Sequence, residues 1–144
     1  MTRLILILTF TLGTLSLHAQ HRQFNPERFE AEMMKYITRE ANLTPQEAQT
    51  FSSIYKEMRK AQSPHFNRIR QYYRTQTNDP KRCKQIIQDV DQLDIKIKQL
   101  QKTYHDKLLK ALPADKVFLA LKAEAQFHRK SFKKAARDNC RHKR

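Results

Sequence analysis

The side chains of this sequence that could bind a metal or react with a substrate are few and far apart. Five histidines follow residue 18, and no two of them stand three or four positions apart, the spacing that would place two imidazoles on one helix face. The G-x-S-x-G sequence of hydrolases and the H-E-x-x-H sequence of zinc proteases are both absent. We therefore expect a protein that is not an enzyme and that holds no metal or cofactor.

Glycine is almost missing from the chain. The single glycine, Gly13, lies in the apolar run near the N-terminus. Phosphate-binding loops need glycine where the backbone approaches the ligand or adopts a positive φ, so P-loop and dinucleotide-binding loops are excluded. Tight β-hairpin turns also prefer glycine, and its absence favours a helical protein.

The first residues have the pattern of a secretory signal peptide. Arg3 precedes an apolar run from Leu4 to Leu17, and Leu17-His18-Ala19 precedes Gln20. The run has about 14 residues, whereas a membrane-spanning helix needs roughly 20. We predict cleavage after Ala19 and export of the mature chain, with a retained membrane anchor as the alternative.

The charge of the chain is strongly positive. There are 29 Lys and Arg residues against 14 Asp and Glu residues, a net charge of +15. This balance favours anionic partners. Nucleic acid is an unfavoured partner, because the chain is predicted to be exported and carries none of the familiar nucleic-acid-binding motifs. Besides acidic proteins, we expect an anionic glycolipid, polymer or membrane surface as a second partner.

The prolines mark the starts of the helices. Four of the five follow a residue that commonly caps a helix, in the pairs Asn25-Pro26, Thr44-Pro45, Ser63-Pro64 and Asp79-Pro80. Apolar residues between these marks recur every three or four positions. This pattern predicts four helices at residues 26–40, 45–74, 80–111 and 114–138.

The predicted fold is all-α, with one domain over residues 26–138, a short flexible segment at 20–25 and a basic tail at 139–144. The second and third helices are long enough to form an elongated antiparallel hairpin. Pro64 predicts a bend near that residue, or a break into two short helices. The apolar stripes are thin, so we expect a homodimer that shares burial between two chains.

Apolar residues at helical spacing predict buried stripes on all four helices. They comprise Phe29, Met33 and Ile37; then Phe51, Ile54, Met58, Ala61 and Ile69; then Ile86, Val90, Leu93, Ile97, Leu100, Tyr104 and Leu108; and finally Val117, Leu121, Ala125, Phe132 and Ala136.

The start of the second helix, Leu43-Thr44-Pro45-Gln46-Glu47, resembles the L-T-x-x-Q motif of the Spy and CpxP family of small periplasmic helical proteins. Thr44 at the N-cap and Glu47 at N3 predict a reciprocal capping box. Glu47 stands where that family has glutamine. A second copy of the motif would fall at Leu112-Pro113-Ala114-Asp115-Lys116, where only Leu112 is kept.

The resemblance implies a cradle-shaped antiparallel dimer in the periplasm, whose concave surface binds unfolded or stressed envelope proteins without ATP. The alternative is an envelope-stress or metal-sensing regulator that binds a membrane-bound partner. A chaperone needs cations to attract acidic clients and pliable apolar side chains to hold them. The candidate client-binding residues are Met34, Lys56, Arg59, Lys60, Phe66, Arg68, Arg70 and Tyr72; a solvated charged face and ordinary core positions are the alternatives.

The two cysteines suggest a disulfide. The third and fourth helices are joined through Leu112-Pro113 and are expected to run antiparallel, which would place Cys83 and Cys140 at similar distances from the turn. An exported protein meets an oxidising compartment. We therefore predict a Cys83–Cys140 bridge. The alternatives are two free thiols, a bridge between two chains, or a metal site formed by Cys140 and His142.

Overall fold

The computed structural model describes residues 25–141, which form four helices and no strand within that range. The helices are α1 (Pro26–Glu40), α2 (Pro45–Tyr73), α3 (Pro80–Ala111) and α4 (Ala114–Arg141). The all-α prediction is confirmed, and α4 continues three residues beyond its predicted end at 138. The predicted signal peptide, residues 20–24 and the last three residues of the predicted basic tail lie outside the described residues.

Three of the four predicted proline-marked caps begin helices. Asn25 Oδ1 accepts the Arg28 amide at 2.9 Å, and the Asp79 carboxylate accepts the amides of Lys81 and Arg82. Thr44 forms the predicted capping box: its Oγ1 accepts the Glu47 amide at 3.2 Å, and Glu47 Oε2 accepts the Thr44 amide at 2.8 Å. Each cap satisfies amides that have no partner inside the helix.

The fourth pair, Ser63-Pro64, is not a helix start. Pro64 lies inside α2, which runs unbroken from Pro45 to Tyr73, so the predicted cap at Ser63 and the two-helix alternative are wrong. Contacts with α3 on both sides of the proline explain the continuity. The buried amide of Gln62 donates to the Ile97 carbonyl at 3.2 Å, and the Tyr72 hydroxyl donates to Asp89 at 2.7 Å. The bend near Pro64 stays a prediction.

The turn between α1 and α2 places Asn42 in the left-handed region that usually requires glycine. Asn42 has φ 49°, the one positive φ among residues 25–141. Its amide donates to the Arg39 carbonyl, and the Leu43 amide donates to the Thr38 carbonyl, which is the Schellman pattern at a helix C-terminus. Asparagine tolerates this conformation better than other residues with a Cβ, so the turn closes without glycine.

The first residues of α4 are anchored on the same turn. The Lys116 ammonium donates to the carbonyls of Ala41 and Asn42, where the helix dipole of α1 favours a cation. Leu43 and Leu112, the leucines of the two motif-like segments, are both buried in the core. The segment that departs most from the L-T-x-x-Q pattern is therefore bonded, through Lys116, to the two residues that directly precede the segment that matches it best.

The helices pack as two antiparallel pairs. In the α2–α3 pair, Lys107 lies 3.4 Å from Glu57, and Tyr72 bonds to Asp89 near the opposite end. In the α1–α4 pair, Tyr36 bonds to Gln126, as Lys116 does to the end of α1. By contrast, α3 and α4 do not pack along each other, so the predicted α3–α4 hairpin is wrong. The short Leu112-Pro113 link instead redirects the chain from α2 to α1.

The core lies where the two pairs meet, and it confirms part of the predicted stripes. Its members are Met33, Ile37, Ala41, Leu43, Phe51, Tyr55, Met58, Leu108, Leu112, Val117, Ala120 and Ala123. The stripe predicted for α4 is wrong beyond Leu121, because Ala125, Phe132 and Ala136 are exposed. The buried face of α4 instead uses Ala120 and Ala123, whose small side chains let α1 approach closely. No helix among residues 25–141 is long and apolar enough to cross a membrane.

A buried hydroxyl connects α2 to α4 through this core. Tyr55 is only 2% exposed, and its hydroxyl donates to Glu124 Oε1 at 2.7 Å. Burial, together with the neighbouring Glu124 carboxylate, raises the pKa of Tyr55 far above its usual value. The protonated hydroxyl is thus the form that the fold requires.

We predict that Asn42→Ala lowers the free energy of unfolding by about 1 kcal/mol, because alanine pays the steric cost of a left-handed φ. Asn42→Gly is the matched control and should match or exceed the wild-type stability, because glycine adopts this φ without strain. Urea unfolding followed by circular dichroism measures both. Equal loss in the two variants would contradict the left-handed turn.

We predict that stability falls more steeply above pH 10 in the wild type than in Tyr55→Phe. The unfolded tyrosine loses its proton near pH 10, whereas the folded one keeps it, so the folded state binds more protons and becomes less stable as pH rises. The added slope approaches about 1.4 kcal/mol per pH unit. Parallel urea titrations between pH 8 and 11 test this, and identical slopes would show that Tyr55 is not held protonated.

Candidate binding groove

An open groove of about 1020 Å³ lies between α1 and α2. We call it the α1–α2 groove. Its walls are formed by Glu27, Glu30, Ala31 and Met34 from α1 and by Ser52, Lys56, Arg59, Lys60, Ser63, Phe66 and Arg70 from α2.

Helical periodicity explains why these residues share one surface. The residues from α1 follow the spacing i, i+3, i+4 and i+7, and those from α2 recur every three or four positions over about five turns. The adjacent face of α2, with Phe51, Tyr55 and Met58, is buried in the core. Core packing therefore holds α2 in the orientation that turns Arg59 and Phe66 toward the groove.

The α2 wall of the groove is basic and the α1 wall is acidic. The one ion pair between the walls joins Lys56 Nζ to Glu30 Oε1 at 3.6 Å, and both side chains are exposed. A pair of this kind contributes little stability in water. Among residues 25–141, no carboxylate lies within ion-pair distance of Arg59, Lys60 or Arg70. The Arg70 guanidinium donates to the Asn67 side chain, but none of these three cations has a carboxylate partner, so all three can bind an anionic partner.

Apolar side chains lie beside these cations. Met34 and Phe66 are half-buried, and the Arg59 guanidinium lies 5.6 Å from the centre of the Phe66 ring. A guanidinium over an aromatic face keeps its outward N–H groups free to donate. The groove therefore combines hydrogen-bond donors with an apolar floor, and both can contact one bound segment.

The structure brings together six of the eight predicted client-binding residues and separates the other two from them. Arg68 and Tyr72 lie on the opposite face of α2, where the Arg68 guanidinium stacks over the Tyr72 ring at 4.7 Å. Tyr72 is in turn bonded to Asp89 of α3. These two residues hold the tip of the α2–α3 hairpin together and lie outside the groove, and their part in client binding stays a prediction.

Four polar residues of the groove were missed by sequence analysis: Glu27, Glu30, Ser52 and Ser63. Selection of cations and large apolar residues alone overlooked them. The signal that could have found them is the helical spacing, because Ser52 and Ser63 stand seven positions before and four after Arg59. The acidic residues of α1 become part of the groove only through the packing of α1 beside α2.

The predicted Cys83–Cys140 bridge is wrong, because both cysteines are free. The Sγ of Cys83 lies 3.8 Å from the Thr77 carbonyl at the α2–α3 turn, and Cys140 is exposed near the end of α4. The bridge depended on an α3–α4 hairpin that the fold does not contain. Within residues 25–141, no three His, Cys, Asp or Glu side chains are grouped so that they could hold a metal ion.

Comparison of the chain with models of protein families, with curated proteins and with solved structures finds no match. The all-α class and the geometry of the groove are therefore the observations from which a function is inferred.

We predict that protein purified without reductant contains two maleimide-reactive thiols per chain. Cys140 should react faster than Cys83, because Cys140 is exposed whereas Cys83 is partly buried. Mass spectrometry of the labelled protein counts the thiols, and Cys140→Ser assigns the fast phase. Recovery of an unlabelled chain whose mass is lower by two hydrogens would instead show that Cys83 and Cys140 form an intramolecular bridge.

Proposed function

We propose that the protein is an ATP-independent holdase of the periplasm, which binds unfolded or stressed envelope proteins in the α1–α2 groove. The observation that carries the proposal is the presence of three cations without a carboxylate partner beside the half-buried Met34 and Phe66. The resemblance of Leu43-Thr44-Pro45-Gln46-Glu47 to the motif of the Spy and CpxP family supports the same function. The homodimer stays a prediction.

Client capture begins with long-range attraction. The net charge of +15 creates a positive field that raises the encounter rate with acidic chains. The client carboxylates then bind locally to three cations along one face of α2, namely Arg59, Lys60 and Arg70. Rim charges of this type act mainly on association rate and on salt dependence.

Retention requires apolar contact after the encounter. An unfolded client exposes apolar side chains that a folded protein buries, and these can pack on Met34 and Phe66. Methionine adapts its shape to different partners, which suits a surface that binds many sequences. Release follows when the client folds and buries the same side chains, so the cycle needs no nucleotide.

The acidic α1 wall orients the bound segment. Glu27 and Glu30 repel the carboxylates of a client, whereas the facing cations of α2 attract them. An acidic segment is therefore expected to lie with its carboxylates toward α2. This polarity distinguishes the groove from a uniformly basic surface, which would bind a polyanion in any orientation.

We predict that the chain beginning at Gln20 suppresses the aggregation of reduced α-lactalbumin, an acidic client, at near-equimolar ratio, and that Arg59→Glu with Lys60→Glu weakens this activity about tenfold. The matched control is Lys84→Glu with Lys96→Glu, which makes the same change in net charge on exposed residues of α3. The control should stay within about twofold of the wild type. Light scattering measures the suppression.

Salt and a basic client complete this test. At 1 M salt, where the screening length is about 3 Å, the wild type should lose most of its advantage over the groove variant. Reduced lysozyme, a basic client, should be protected less well by the wild type than by the variant. Equal protection of both clients by all three proteins, at every salt concentration, would refute the assignment of the groove.

A further inference from the structure

The face of α4 that points away from α1 carries two large aromatic side chains that no part of the described structure covers. Phe118 is 66% exposed and Phe132 is 74% exposed. They stand 14 positions apart, nearly four helical turns, so they lie about 21 Å from each other along one side of the helix. We call this side, with Lys122, Ala125, Arg129 and Lys133, the outer face of α4.

The inner face of α4 accounts for its packing, and the outer face does not contribute to it. Val117, Ala120 and Ala123 are at most 2% exposed and contact the core. Each residue advances about 100° around a helix, which places Phe118, Ala125 and Phe132 on the side opposite Ala120. The apolar residues of the outer face therefore need an explanation other than the core of this chain.

The charge of the outer face identifies the chemistry of its partner. Between Ala125 and Arg137 there are five cations, Arg129, Lys130, Lys133, Lys134 and Arg137, and no acidic residue. Lys130 is engaged with Tyr36 of α1, to whose hydroxyl it donates at 2.8 Å. Arg129 and Lys133 are exposed and point to the same side as the two phenylalanines. An anionic partner complements this surface.

A second copy of the chain does not complement it. Two outer faces in contact would collect Lys122, Arg129 and Lys133 of both copies in one interface, with Asp115 as the one acidic residue that each face contributes. This excess of like charge opposes association. Two aromatic rings at the ends of a straight stripe, with cations between them, fit a flat anionic surface instead. Helices that lie in a lipid interface combine these same features.

We propose that the outer face of α4 docks the protein on an anionic lipid surface. Phe118 and Phe132 insert at the level of the headgroups, and Arg129 and Lys133 contact the lipid phosphates. The long side chains of Lys122 and Arg129 bend outward, so the rings can reach the lipid without burying a charge. The α1–α2 groove is formed by other helices, so a docked molecule keeps it open to clients.

The sequence offers a direct spectroscopic test because the chain contains no tryptophan. The test uses the chain beginning at Gln20, which keeps every described residue and removes the apolar N-terminal run. Phe132→Trp reports on the outer face, and Ile87→Trp is the matched control at a 61% exposed position of α3. With vesicles of 30% phosphatidylglycerol in phosphatidylcholine, the Phe132→Trp emission should shift to shorter wavelength and the Ile87→Trp emission should not.

Co-sedimentation with the same vesicles measures the contribution of charge and of the rings. Arg129→Gln with Lys133→Gln should lower partitioning about thirtyfold, because each cation near an anionic leaflet contributes about fivefold. Lys84→Gln with Lys96→Gln, on α3, should lower it less than threefold. Phe118→Ser with Phe132→Ser should weaken binding at high salt, where the rings dominate, whereas Ile87→Ser with Ile95→Ser should not.

Several outcomes of the vesicle experiments would overturn the proposal. They are equal binding to pure phosphatidylcholine vesicles, an unshifted Phe132→Trp spectrum, equal losses in the α3 control variants, and a change of sedimentation coefficient in Phe118→Ser with Phe132→Ser without any vesicle binding. The last result would assign the outer face to an interface between copies. Binding of DNA in the absence of vesicle binding would assign it to a polyanion. Circular dichroism confirms that each variant is folded.

Discussion

The contact of Lys116 with the turn between α1 and α2 is the interaction on which the arrangement of the two helix pairs depends. One ammonium group binds the last carbonyls of α1 while its own helix begins, and Leu43 and Leu112 are buried beside it. These contacts join the α1–α4 pair to the α2–α3 pair at the turn, and the Tyr55–Glu124 hydrogen bond joins the two pairs again within the core. The left-handed Asn42 makes the contact at the turn possible, because it ends α1 while its carbonyl stays within reach of Lys116.

Joining the pairs at the turn and in the core concentrates burial there and leaves the far ends of the helices exposed. The largest fully buried side chains come one from each helix: Ile37, Phe51, Leu108 and Val117. A chain with 30% charged residues cannot extend such a core along 30-residue helices, so most of its surface is solvated. The α1–α2 groove and the outer face of α4 both follow from this distribution of burial.

The two surfaces use the same chemistry for different partners. Each combines cations with apolar side chains, Arg59 beside Phe66 in the groove and Arg129 beside Phe132 on α4. The groove is concave and has an acidic wall, which suits a flexible chain with local charge. The outer face follows one helix and has five cations and no acidic residue between Ala125 and Arg137, which suits a flat anionic surface. Shape and the position of the carboxylates, more than net charge, separate the two proposed functions.

The sequence by itself determined the helices and their starts, because capping residues, prolines and apolar spacing act within a few neighbouring residues. It also placed six groove residues among the candidates, since they share one face of α2 or adjoin it. The pairing of α2 with α3 also followed from the sequence, but only the tertiary structure decided that α4 pairs with α1. A short link such as Leu112-Pro113 is compatible with several partners for α4, and the choice of α1 depends on the close approach that Ala120 and Ala123 permit. The same choice left Cys83 and Cys140 unbridged and Phe132 exposed, whereas the packing of α2 on α3 bonds Tyr72 to Asp89 and leaves Arg68 stacked on Tyr72.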